Sequence, residues 1–187
     1  MRLPKKFYAR DPAVVAREIL GNILCKKDHS PLEGRIVETE AYYGLADPAS
    51  RAFRGKKKFN KWMWDEAGAL FIYMVHGNWL LNIITEKRGI PSGILIRAVE
   101  PLTGIDTMQK RRQTDIRNLT SGPGKLTQAF GITKNHNGVR VYNPSSEIFI
   151  KKDEKQAVIK TSARIGVKED LPYHLRFFIE NNQFVSR

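Results

Sequence analysis

Two glutamates, Glu38 and Glu40, stand two positions apart in the run 35–43, which alternates and is rich in β-formers. As a strand, this run would place Ile36, Glu38, Glu40 and Tyr42 on one face. A carboxylate beside an aromatic ring can act as a general base where such a face floors a pocket. Alternation alone favours the plainer reading, a solvated polar face. Arg97 shifts the balance. It interrupts the apolar run 93–99, and a buried guanidinium needs an anion, most naturally a carboxylate on a neighbouring strand. A strand-clamping ion pair and an arginine that orients a catalytic carboxylate are compatible roles. Asn82 interrupts the apolar run 80–84 in the same way. Its amide must be hydrogen-bonded, and a satisfied core amide is the plain reading.

These side chains need a sheet to bring them together. The pattern predicts strands at 22–27, 35–43, 69–75, 80–84, 93–99, 147–151, 157–163 and 175–180, with a turn at Asn181-Asn182 before a last strand. A helix is expected after Asp11, with Pro12 in its first turn and Gly21 beyond its end. Further helices are expected at 104–112 and 121–130, the latter closed by Gly131. Residues 44–66 read as irregular. No repeat or linker divides the chain, so one domain over residues 1–187 is expected. The class is α+β, a curved, mostly antiparallel sheet flanked by helices.

Charge narrows the partner. The chain has 187 residues, with Lys and Arg at 32 against Asp and Glu at 19, a net charge of +13. Such a field attracts polyanions, and nucleic acid is favoured over mere solubility. Cys25 is the only cysteine, which excludes an internal disulfide and a thiolate cluster. The histidines (His29, His76, His136, His174) show no ligand spacing, so no metal is expected. No signal peptide or run of 18 apolar residues is present, and an intracellular protein without membrane contact is expected.

The run Gly34-Arg35-Ile36-Val37-Glu38-Thr39-Glu40-Ala41-Tyr42 closely resembles the signature strand of the alkyladenine (3-methyladenine) DNA glycosylases. Matching blocks follow in order: Tyr43-Gly44 with Asp47-Pro48-Ala49-Ser50, then Arg54-Gly55, Asn60, Gly68, the run 70–73, Leu81-Asn82-Ile83, the run 95–102, and Ser121-Gly122-Pro123-Gly124-Lys125-Leu126 with Ala129. The resemblance implies a monofunctional enzyme that excises alkylated or deaminated purines from double-stranded DNA without a cofactor. It implies Glu40 as general base and Arg97 as a binder of the attacking water. Tyr42 and Tyr73 would wall the pocket of an extruded base, and Asn82 would disfavour the exocyclic amine of guanine. A monomer is expected.

Two positions depart from the family. Arg51 stands where the family usually has His, and places a donor-only cation beside the base. This would favour an acceptor-bearing edge such as the O6 of hypoxanthine. His76 stands where a Tyr wedge is common, and is either a smaller wedge or a turn residue. Lys56, Lys57 and Lys58 are expected DNA contacts, with Trp62 and Trp64 as anchors of their loop. Gly122-Pro123-Gly124-Lys125 has no Walker spacing but could offer a modest phosphate site at Lys125. Lys110, Arg111, Arg112 and Arg117 read as a solvated helix end. Two other readings stay open: a non-catalytic minor-groove binder of distorted DNA, and an RNA-directed protein.

Overall fold

A computed structural model describes residues 1–153 and 157–186. In chain order the elements are α1 (Lys5–Tyr8), α2 (Pro12–Glu18), β1 (Ile23–Lys26), β2 (Leu32–Tyr42), β3 (Leu70–Val75), β4 (Asn78–Ile84), β5 (Gly93–Thr103), α3 (Ile105–Arg112), α4 (Ile116–Leu119), α5 (Pro123–Phe130), β6 (Ile148–Lys151), β7 (Ile159–Ser162) and β8 (Arg176–Ile179). The strands form one 8-stranded sheet in the order β3-β4-β5-β2-β1-β6, with β8 pairing both β2 and β7. Every strand pair is antiparallel. The expected α+β class is what forms.

β2 is the axis of the molecule. β5 runs along one edge, while the other edge pairs first with β1 at 32–35 and then with β8 at 38–40. Glu38 and Glu40 are therefore flanked by strands on both sides. Behind them lies α2, which starts as the sequence predicts. Asp11 accepts from the amides of Ala13 (2.8 Å) and Val14 (3.1 Å), with Pro12 in the first turn. The Thr39 hydroxyl donates to the Ala16 carbonyl at 2.7 Å and ties this helix to β2. α5 packs so close on the sheet that a Cβ on Gly34 would lie 2.8 Å from Val99 and 3.2 Å from Phe130. Leu24, Ile36, Leu81, Ile94, Ile96 and Phe130 belong to the main core.

Some expectations need correction. α1 and α4 carry too short a pattern to read in advance, and α4 is announced only by its Asp115 cap. Residues 44–66 contain two short 3-10 helices, Gly44–Ala46 and Lys61–Trp64. No strand follows Asn181-Asn182 among the described residues. There the Asn182 side chain accepts from the Phe184 amide at 2.9 Å and the chain turns inward.

Candidate active site

Strict alternation fails along β2. The pairing of β2 with β5 is irregular between Ile36 and Glu38 and again between Glu38 and Thr39, leaving Val37 and Arg97 without opposite partners. Such bulges re-aim side chains. Ile36 joins the apolar core, while Glu38 and Glu40 are fully buried and meet the guanidinium of Arg97. Arg97 Nε donates to Glu38 Oε1 at 2.9 Å, and Nη1 lies 3.1 Å from Glu40 Oε1. The solvated-face reading of this strand is overturned: three strands and α2 close around it.

Glu40 has two further donors. The Ile165 amide donates to Oε1 at 2.8 Å and the Tyr42 hydroxyl to Oε2 at 2.8 Å. Burial is the main force on the Glu40 carboxyl and raises its proton affinity, as does the Glu38 charge to a smaller degree. Arg97, the Ile165 N–H and Tyr42 oppose it, and the net direction is up. Burial, reinforced by the Glu40 charge, also holds the Tyr42 phenol well above its ordinary value, so it remains a donor.

Tyr42, Arg97 and Ile165 all line a groove of about 790 Å³. Glu40 lies directly behind them. Deeper in, Tyr42, Arg51, Phe71, Tyr73 and Asn82 surround a recess of about 20 Å³, room for about one water molecule. Tyr73 stacks on Phe71, with centroids 5.1 Å apart and planes at 16°, and the Arg51 guanidinium lies 4.9 Å from its ring centre. Asn82 is a satisfied amide as expected. Its Nδ2 donates to the carbonyls of Phe71 (3.2 Å) and Leu80 (3.3 Å).

Residues 6–183 match the methylpurine-DNA glycosylase (MPG) family. A protein of Chlorobium phaeobacteroides is 40% identical over 191 residues, covering 99% of this chain and 96% of that protein. One from Methanoculleus marisnigri is 38% identical over 196 residues, and one from Clostridium perfringens (strain 13) 37% identical over 205, each covering 100% of both chains. All three carry the provisional name 3-methyladenine DNA glycosylase. This chain belongs to the methylpurine-DNA glycosylase family.

In this glycosylase His76, of the residues singled out for DNA, lines the groove, while Lys125 lines a separate cleft. His76 is exposed at the two-residue turn between β3 and β4, where His76 and Gly77 have φ of 46° and 77°. Two successive positive φ values are those of a type I′ hairpin turn. Lys56, Lys57 and Lys58 are exposed, and Lys56 lies 5.8 Å from the Trp64 ring centre. Trp62 and Trp64 pack against the small cluster of Ala52, Met63, Phe71 and Ile84, as anchors should, whereas Phe53 and Phe59 are exposed. Lys125 donates to Asn118 (3.1 Å) and Ser121 (3.4 Å) at the start of α5 and lines a second cleft of about 670 Å³ with Arg112 and Arg117. The basic end of α3 is not simply solvated. Arg111 bridges Asp28 at 2.6 Å and the Ala129 carbonyl at 3.1 Å.

Sequence reasoning missed the groups that complete the centre. Arg164 is fully buried between Asp47 (2.6 Å) and Asp170 (2.7 Å), donates to the Ala41 carbonyl at 2.9 Å, and lies 4.6 Å from the Tyr42 ring centre. It pins the segment that presents the Ile165 amide to Glu40. Arg176 and Ser186 both bind Glu38. The advance signal was slight: Arg176 falls inside the expected strand 175–180, and Arg164 just beyond the expected strand 157–163. Among the described residues no group of three His, Cys, Asp or Glu could hold a metal. Among the described residues no helix is long and apolar enough to cross a membrane.

Proposed function

We propose that this glycosylase hydrolyses the N-glycosidic bond of damaged purines in double-stranded DNA, of the 3-methyladenine, hypoxanthine and ethenoadenine class, with Glu40 as general base. The observation that carries this reading is a buried carboxylate of raised proton affinity, behind a groove lined by all three of its donors. Oε2 accepts only the Tyr42 hydroxyl among the described contacts, so a water can donate to its other lone pair. The anomeric carbon is out of reach of in-line attack inside a duplex, so the nucleotide is extruded first. The water oxygen bonds to that carbon, its proton passes to Glu40, and the bonding pair leaves with the purine. The glutamate charge favours the oxocarbenium-like sugar. A cationic alkylpurine leaves as a neutral base, whereas hypoxanthine and ethenoadenine, neutral in DNA, leave after taking up a proton from solvent water.

Tyr42 and Tyr73 offer aromatic faces to the base. Asn82, held rigid by two carbonyls, is a wall that cannot yield to guanine's exocyclic amine. The Arg51 guanidinium over the Tyr73 ring competes with a base for that face. No lysine is among the described contacts of Glu40, Arg97 or Tyr42, which supports hydrolysis without a Schiff-base lyase step. The test is a panel of duplexes, each with one such lesion. Base release with strand breakage only after alkali supports the reading. Borohydride trapping of a protein–DNA adduct contradicts the monofunctional assignment.

The narrow recess favours a second reading, a minor-groove binder that recognises distorted DNA without cutting it. Tight binding to the same panel with no base released is its signature.

A further inference from the structure

Glu38 is a buried carboxylate beside Glu40 that the proposed chemistry does not use. It nevertheless collects more donors than Glu40. Its Oε1 accepts from Arg97 Nε (2.9 Å), Arg176 Nε (2.7 Å) and Ser186 Oγ (2.8 Å), and its Oε2 accepts from the Ser186 amide (2.6 Å). The partners also bind one another. Arg176 donates to Ser162 Oγ (3.1 Å) and to the Ser186 carbonyl (3.2 Å), and Arg97 Nη2 donates to Ser186 Oγ (3.3 Å). Glu38 is fully buried and is held by four donors where Glu40 has three.

One guanidinium reaches both buried carboxylates but balances the charge of only one. Arg176, the register partner of Glu40 on β8, brings the second positive charge and spends it on Glu38. Arg97 is then gripped at Nε by Glu38 and at Nη2 by Ser186, which turns Nη1 toward Glu40. A guanidinium is planar, so fixing two of its nitrogens fixes the third. Taking Glu40 as the base, we infer that Glu38, Arg176 and Ser186 are a positioning set that aims Arg97 at Glu40. They act through Arg97 and touch no substrate.

The groups around Glu40 are Glu38 and Tyr42 on β2, Arg97 on β5, Tyr73 on β3, Arg176 on β8, and Arg164 with the Ile165 amide after β7. Glu38 raises the proton affinity of Glu40 and Arg97 lowers it. The test measures the Glu40 titration by carboxyl 13C NMR, assigned with Glu40→Gln, beside single-turnover excision across pH. Glu38→Gln should lower the Glu40 midpoint. Arg176→Gln should raise it, because Arg97 is drawn toward Glu38. Each should slow excision by about 10²-fold, the cost of a small misplacement of a catalytic group. Arg176→Lys should restore part of the rate, and Ser186→Ala, which keeps the amide donor, should lose several-fold without loss of fold. A structural clamp alone would change thermal stability and leave the midpoint and acid limb in place. Folded Ser186→Ala and Arg176→Lys proteins with wild-type midpoints and rates would overturn the inference. If the midpoints move as stated but wild type releases no base from any lesion, the positioning set stands and the reading of Glu40 as the base fails.

Discussion

Glu40 owes its proposed reactivity to opposing forces on one carboxyl. Burial pushes its proton affinity up, three donors push it down, and burial wins. A base works only when deprotonated, so activity should fall as pH drops through the raised value. The acid limb of kcat/KM is expected above the ordinary glutamate pKa of about 4.3. The stability sign is the reverse of the usual carboxylate case. A raised folded-state affinity favours the fold at low pH, and that contribution is lost as pH rises through the raised value. The difference in Tm between Glu40→Gln and wild type should therefore narrow as pH falls toward 4. Arg51 supplies the second residue-scale prediction. Its guanidinium only donates, so Arg51→His should excise hypoxanthine less well relative to 3-methyladenine in a competitive lesion assay. An unchanged ratio would remove Arg51 from base reading.

At the scale of elements, the strands were legible and their irregularities were not. β3 and β4 announce themselves by apolar runs, and α2 by Asp11, Pro12 and Gly21. The bulges at Val37 and Arg97 have no sequence signature, because an inserted residue looks like any other. They nevertheless decide that Ile36 packs in the core while Glu38 and Glu40 meet Arg97. The turn at 181–182 was legible, but not that the chain beyond it brings Ser186 to Glu38, since long-range pairing leaves no local pattern. Arg97 could be read as buried because its strand is otherwise apolar. Arg164 could not, because the carboxylate it is buried against, Asp47, is over a hundred residues away. Arg164→Met leaves Asp47 buried without its cation, and denaturant unfolding should show a loss of about 3–5 kcal/mol. At the hairpin, Gly77→Val forces a β-branched residue into positive φ and should cost about 1 kcal/mol or more. His76→Ala should change stability much less, and slower excision in that variant would identify His76 as the wedge.

Over the whole molecule, the net charge of +13 sets how DNA is met before any lesion is recognised. The exposed run Lys56–Lys57–Lys58 stands on a loop whose tryptophans are fixed to a small apolar cluster. That arrangement holds the cations out while the loop stays in place. Each phosphate contact contributes about −0.9 to the slope of log K against log salt. Replacing all three lysines by alanine should make that slope about 2–3 units shallower in anisotropy titrations, with the order of lesion preference unchanged. A slope identical to wild type would place the DNA elsewhere, with the cleft of Arg112, Arg117 and Lys125 next in line.

The central claim is that Glu40 activates the water. Its most direct test is single-turnover excision of hypoxanthine and 3-methyladenine by Glu40→Gln beside wild type, with DNA affinity measured on the same proteins. Glutamine keeps one oxygen for the Ile165 amide and offers its NH2 to the Tyr42 hydroxyl oxygen, but it cannot take a proton. A rate lower by about 10²–10⁴-fold is expected, with affinity for lesion DNA retained. Equal rates in the two proteins would contradict it.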